Sequence, residues 1–288
     1  INLGVTGMMF VGALFGFWVG SEVDPWLGLV AAMLAGALLA GLHGIVTIHL
    51  QANQIVSGLA LTFLGTGVAL VLGEGLPSGS PALLPVITLP LLSEIPFIGG
   101  VFFNEQSILV YFGYLLVPLT SIWIFRTRPG LHLRAVGEQP SAADALGVNV
   151  YRQRYAYTML GGALAGLAGA AITMSLVPGW HADKTVIAQG WIAVALVIFG
   201  QWRPGRTMFG AYMVAFIFRL TLDLQGKDAL LGLYNPFYEY YPSTFFLDML
   251  PFVAVILVLV FAASEANRKR IGAPASLGLP YVRGERGH

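Results

Sequence analysis

The residue types that usually carry catalysis are scarce in this 288-residue chain, and those present stand at unproductive spacings. His43, His49 and His181 share no metal-binding spacing with one another or with nearby acids, and read as interfacial groups. Ser78 and Ser80, in the stretch LPSGSP, are flanked by prolines that oppose the strand-to-helix elbow of a serine nucleophile, and no base accompanies them. There is no cysteine, so disulfides and thiolate metal sites do not arise. No GxxxxGK[ST] loop is present to cradle phosphates, so the chain itself neither binds nor hydrolyses ATP. No catalytic residue, metal or cofactor is expected.

What remains is charge and docking. The stretch RTRPGLHLRAVGEQPSAADALGVNVYRQR, Arg126 to Arg154, sets five arginines and two acids between two long apolar segments. Its order is more informative than its charge. Leu131 to Val136 reads as a short turn of helix closed by Gly137. Glu138 and Gln139 then lead into Pro140, favoured at the first position of a helix, and Gly147 supplies a left-handed stop. The result is a surface helix from Pro140 to Leu146 whose Ala142, Ala143 and Leu146 offer a small apolar face. Two readings stand: a solvated basic loop, or a docking element for a cytoplasmic protein, with Glu138 and Asp144 free to meet basic groups on it.

The elements that position this patch follow from composition. With 57% hydrophobic and 10% charged residues and a mean hydropathy of +0.76, the chain belongs in a bilayer, where a span takes about 20 apolar residues. The expected fold is all-α: a polytopic transmembrane bundle with short broken or re-entrant segments, in one domain from residue 1 to 263, followed by a basic cytoplasmic tail, 264–288, read as loose. Leu3 to Gly20 is glycine-rich and marginally long, which suggests a broken or re-entrant segment. Trp26 to Leu50, Asn53 to Gly73, Ser107 to Phe125, Tyr155 to Val177, Thr207 to Leu222 and Phe245 to Ala263 read as spans. Gly190 to Gly200 is too short to cross and reads as a half-helix. Glu74 to Gln106 is a proline-broken loop able to dip into the membrane. Ile1 is not an initiator methionine, and a helix upstream of it is expected.

Twelve of the fifteen lysines and arginines fall in the patch, the turn holding Arg203 and Arg206, and the tail, which places all three on the cytoplasmic side. Acids such as Glu22, Asp24, Glu74 and Glu105 mark the other face. The cations are those of retained loops, and no nucleic-acid partner is expected. Small residues four apart make three ridges for close helix contact: Gly12–Gly16–Gly20, Gly36–Ala40–Gly44 and Gly162–Gly166–Ala170. A polar stripe, Gln54, Ser57, Gly58, Leu61, Thr62 and Gly65, falls on one helix face. It either lines a path for a hydroxyl-rich solute or bonds helix to helix. Trp191 and Phe199 are candidates for an aromatic gate or plain packing, and Arg219 for pairing with Asp223 or snorkelling.

Four ordered stretches carry a resemblance: INLGVTGMMFVGALFGF from Ile1, QIVSGLALTFLGTG from Gln54, LRAVGEQPSAADALGVNVYRQRY from Leu133, and GWIAVALVIFGQWRPG from Gly190. Together they resemble the permease subunits of bacterial ABC importers, in the branched-chain amino acid, ribose and nucleoside permease family and nearest its simple-sugar or nucleoside branch. The resemblance implies a multi-pass protein of the bacterial cytoplasmic membrane, surrounded by lipid, that forms the path for a small polar solute. It implies a cytoplasmic ATPase partner, a second permease subunit, identical or paralogous, and an extracytoplasmic solute-binding protein. The loop from Leu133 to Val150 is similar to the family's coupling helix, which seats in a groove of the ATPase. Thr6 departs from the pattern, standing where many relatives carry Glu. The alternative is an ion-coupled secondary transporter, which requires an intramembrane acid and internal repeats. Asp248 is the only acid inside an apolar run, and no repeat is evident.

Overall fold

The computed structural model describes residues 2–78, 83–96, 99–180, 185–226 and 273–283, with isolated positions between 229 and 260. His181, Ser80, Asp248, most of the last apolar run and residues 264–272 lie outside the described residues. Six described helices are long and apolar enough to cross a membrane. These are α1 (Val5–Glu22), α2 (Pro25–Gly44, extended by a π-helical turn Ile45–His49), α3 (Gln54–Leu72), α6 (Ile108–Arg126), α9 (Val150–Ala171, extended by a π-turn Ile172–Leu176) and α11 (Pro204–Gly226). Between α3 and α6 lie β1 (Val86–Ile87), α4 (Pro90–Ser93), α5 (Gly99–Phe102) and β2 (Gln106–Ser107), with β1 antiparallel to β2. The basic patch forms α7 (Arg128–Glu138) and α8 (Pro140–Ala145). The chain continues with the shorter α10 (Thr185–Phe199) and, after α11, the antiparallel pair β3 (Ala229–Leu230) and β4 (Leu233–Tyr234).

Helix starts follow local chemistry. The Asp24 carboxylate accepts from the backbone N–H groups of Trp26 (2.9 Å) and Leu27 (3.2 Å), with Pro25 beside it at the first helical position. Asn53 does the same for Ile55 and Val56 at the start of α3. Asn149 accepts from Arg152 N (2.9 Å), so α9 starts at Val150, five residues ahead of the expected Tyr155. Its buried Val150 packs with Val136 of α7, Ala143 of α8 and Tyr281.

The first segment corrects the sequence reading. α1 is a single unbroken helix, and twelve of its 18 residues are buried. Its glycines are points of approach rather than breaks. A Cβ on Gly12 would run into the Gly166 backbone of α9, and one on Gly16 into Ala170. On α2, Gly36 faces Gly162 and Gly166, so the three small-residue ridges meet one another, as close packing in lipid requires. Gly7 and Gly65 bring α1 equally close to α3. α1 runs parallel to α3 and α9 and antiparallel to α2, with Phe10, Phe17, Met8 and Leu14 enclosed at its centre.

The chain divides into two units, residues 1–191 with 274–288, and residues 192–273. The second has its own small core of Ile192, Leu196 and Val214. There α10 ends in a tight turn in which Gln201 (φ +51°) and Trp202 (φ +56°) are left-handed, and the Gln201 side-chain carbonyl accepts from Arg206 (2.5 Å). α10 is 15 residues long and begins at Thr185, five residues ahead of the expected Gly190, and its apolar part is shorter than the six helices long enough to cross a membrane. The segment between α3 and α6 is organised: the Tyr111 hydroxyl reaches the carbonyls of Ile87 (2.9 Å) and Phe103 (3.0 Å).

Candidate coupling surface

The basic patch is built by two helices at a sharp corner. Thr127 starts α7 by accepting from Gly130 N (3.2 Å), with Pro129 in the first turn. α7 therefore runs from Arg128 to Glu138, longer than the expected 131–136, and Gly137 does not close it. The chain turns at Gln139 and re-enters helix at Pro140. α8 is six residues long and ends where Gly147, at φ +86°, takes the left-handed conformation that glycine tolerates. Leu146 N donates to Ala142 O (3.2 Å), Gly147 N to Asp144 O (2.9 Å) and Val148 N to Ala143 O (3.0 Å).

The proposed apolar face divides in two. Leu146 is 85% exposed, and Ala142 is exposed beside it. Ala143 points the other way, 3% exposed, into a small core with Val136, Val150 and Tyr281. A six-residue helix has two sides within one and a half turns, and only the Ala142–Leu146 side is open to a partner. Gln139, Glu138 and Gly147 are also exposed.

The acids are engaged within the chain. Asp144 forms an ion pair with Arg283 (Nε to Oδ2, 3.1 Å), and Glu138 Oε2 accepts from Ala275 N (3.4 Å). Both partners belong to the tail, whose described part corrects the expectation of a loose terminus: residues 274–283 fold back over α7, α8 and the start of α9. Ser276 donates through its hydroxyl to Gly137 O (2.6 Å) and Val136 O (3.1 Å), and through its N–H to Gly137 O (2.9 Å). It thereby satisfies carbonyls that a helix leaves orphaned at its C-terminal end. Arg154 donates to Leu279 O (3.0 Å) and lies over the Tyr281 ring at 5.9 Å, while Tyr151 OH donates to Tyr281 O (3.3 Å). Burial, and then a hydrogen bond with the Asp144 carboxylate, raise the Tyr281 phenol above its ordinary pKa. No sequence motif announced this strap. Its only signal is an alternation of Leu277, Leu279 and Tyr281 in a glycine- and proline-rich terminus.

The polar stripe of α3 packs against α1 and α2. Ser57, Gly58, Leu61, Thr62 and Gly65 are all buried, and Gln54, at the helix start, is half-buried. Thr62 Oγ1 donates to Leu3 O (3.0 Å), and the Ser57 hydroxyl lies 3.0 Å from His43 Nδ1 on α2. The hydroxyls join helix to helix, and the glycines admit the α1 backbone. Trp191 is exposed, whereas Phe199 packs on Gly210 of α11. Arg219 lies 3.5 Å from Asp223, one turn on. Among the described residues no cluster of His, Cys, Asp or Glu could hold a metal ion.

Comparison with known proteins carries this geometry to a family. Residues 1–259 match the family described as branched-chain amino acid transport system, permease component. The guanosine ABC transporter permease of Bacillus subtilis is 34% identical over 99% of this chain and 89% of its own length. The nucleoside ABC transporter permease of Lactococcus lactis is 34% identical over 98% and 88%. A Haloferax volcanii permease assigned provisionally to glucose ABC transport is 36% identical over 98% and 89%. No solved structure matches. Permease components of this kind are not themselves catalytic, and they imply an ATPase and a solute-binding protein as partners. With six apolar spans among its described residues and a match along nearly its whole length, the chain belongs to the branched-chain amino acid transport permease family, as a multi-pass membrane subunit of an ABC importer.

Proposed function

We propose that this permease carries a nucleoside or a simple sugar, and that α8 is the surface on which its ATPase bears. The solute class is supported by the full-length similarity to nucleoside and glucose permeases. The coupling role is carried by one observation: Leu146 stands 85% exposed on a short helix that is held from behind by α7, α9 and the tail. An exposed leucine on a fixed cytoplasmic corner fits an apolar groove in a partner, and the exposed Glu138, Gln139, Ala142 and Gly147 surround it. The push it receives has a direct route to the membrane, because Ala143 abuts Val150 at the foot of α9.

Solute movement then requires that ATP-driven closure of the partner favour one membrane conformation over another. The stripe Ser57–Gly58–Leu61–Thr62–Gly65 enters this proposal as a closed contact whose parting from α1 exposes hydroxyls to a polar solute, with Gln54 at its cytoplasmic end. Trp191 and Phe199 are proposed to constrain α10 as that contact opens. A second permease subunit completes the path, and the acidic outer loops receive the solute-binding protein.

The test is ATP-driven uptake of radiolabelled guanosine and glucose into vesicles holding the complete transporter, for wild type and Leu146→Arg. Because Leu146 touches little of its own chain, the variant folds and inserts normally while its charge is refused by an apolar groove. Uptake is expected to fall by at least about tenfold, the cost of burying an unpaired charge at a docking face being well above 1.4 kcal/mol. Undiminished uptake in the variant overturns the coupling role, and uptake of neither solute overturns the solute class.

A further inference from the structure

Helix α8 is too short to hold its own shape. Six residues form scarcely more than one hydrogen-bonded turn, and isolated helices of that length do not persist in water. Something must lock it in place, and α7 and α9 supply only part of the lock. The inward side chain of α8 is the methyl group of Ala143, facing Val136 of α7 and Val150 of α9. Three small side chains from three helices leave room between them, and the Tyr281 ring of the tail fills it, 9% exposed.

The rest of the strap holds that ring at both ends. Upstream, Ser276 is bonded to the last carbonyls of α7. Downstream, Arg283 pairs with Asp144 on α8 itself. Arg154 and Tyr151 of α9 take the carbonyls of Leu279 and Tyr281. The strap thus touches all three elements that meet at the corner, and it does so on the side away from Leu146.

We infer that residues 274–283 are a built-in brace for the coupling corner, and that Tyr281 is the positioning residue that makes α7, α8 and the foot of α9 move as one piece. The inference rests on the coupling role proposed for α8. A brace of this kind makes coupling depend on the C-terminal residues of the permease although they bear no solute and need not touch the ATPase. Without the ring, a push on Leu146 rotates α8 in place instead of displacing α9.

The experiment uses the complete transporter in vesicles, with Tyr281→Ala, Tyr281→Phe, a truncation after Gly272, and Leu146→Arg as a reference. Three quantities are read: ATPase retained on the purified membrane subunits, solute imported per ATP hydrolysed, and amide exchange over residues 140–148. Tyr281→Ala and the truncation are expected to raise exchange over 140–148 by on the order of tenfold or more, the cost of deleting a buried aromatic. They lower import per ATP by a similar factor while the ATPase stays bound. Tyr281→Phe keeps the ring and every main-chain bond and loses only the phenol's hydrogen bond with Asp144, so it stays nearer to wild type than to Tyr281→Ala in both readouts. Should the truncation disturb membrane assembly, the single substitution carries the test.

If exchange and import per ATP are unchanged in Tyr281→Ala while Leu146→Arg abolishes import, the brace is refuted and the coupling surface stands. If Leu146→Arg imports normally, the coupling role of α8 has failed, and the brace falls with it.

Discussion

Gly147 offers a substitution whose cost can be worked from backbone geometry alone. Its φ of +86° lies in the left-handed region, and a Cβ built there meets nothing within 4 Å. Steric contact therefore contributes nothing, and only the conformational preference of an L residue remains, about 1–2 kcal/mol for alanine. Converted at about 1.4 kcal/mol per decade, Gly147→Ala shifts the equilibrium between closed and opened α8 by roughly 5- to 30-fold. Asparagine tolerates the left-handed region and costs less than alanine, whereas valine, stiff at χ1, costs more. The assay is amide exchange over residues 140–148 in the purified permease, where the N–H groups of Leu146, Gly147 and Val148 all donate into α8. The expected order of exchange rate is Val above Ala above Asn above Gly, with import per ATP falling in the same order. Equal exchange in Gly, Ala and Val would refute the account, because it would mean that the turn is held by something other than its backbone conformation.

Two further predictions follow from single side chains. Thr6 is 1% exposed, and its hydroxyl has no hydrogen-bond partner among the described residues, so Thr6→Val keeps the shape, removes a buried unsatisfied group and should stabilise the protein by about 1–3 kcal/mol. A raised midpoint of thermal unfolding in detergent checks it, and a lowered one contradicts it. Tyr281 gives the docked strap a pH limit: its phenol is raised by burial in the docked state, while in a released strap it ionises near about 10. Docking is then at full strength below that pH and weakens as pH rises from there through the raised value, because only the released strap gains the favourable charge. Proteolytic protection of residues 276–283 should fall over that window in wild type and not in Tyr281→Phe, and a parallel fall in both would contradict the assignment.

The spans were legible in the sequence because lipid permits little else: an apolar run must satisfy its backbone internally, and a helix does so at a recognisable length. The ridges at Gly12, Gly36 and Gly162 were legible for a related reason, since only small residues allow backbones to touch. The same glycines misled over α1, where glycine spacing read as a break although each one marks a neighbour. Pro140 and Gly147 fixed the ends of α8 through local backbone rules. The inward side of α8 was hidden, because one turn has no period from which to read a face. Its covering residue, Tyr281, also comes from far away, in a strap whose Arg283 bonds Asp144 from 139 residues along the chain. The stripe on α3 was ambiguous for chemical reasons, as serine, threonine and glycine serve a wet cavity and a tight helix contact equally well.

The enclosure of α1 bears on how the protein is made. Its mean hydropathy, 1.3, is the lowest of the six described spans, and its surface is matched to backbones rather than to acyl chains. When α1 leaves the ribosome, α9, which supplies Gly166 and Ala170, has yet to be synthesised. The side of the nascent helix that carries Gly12 and Gly16 is thus poorly suited to lipid and lacks its eventual neighbour, so its final seating must await the synthesis of residues 150–176. A nascent chain stopped after α3 should leave the Gly12–Gly16 side of α1 reachable by cross-linkers, and a chain extended past Leu176 should shield it.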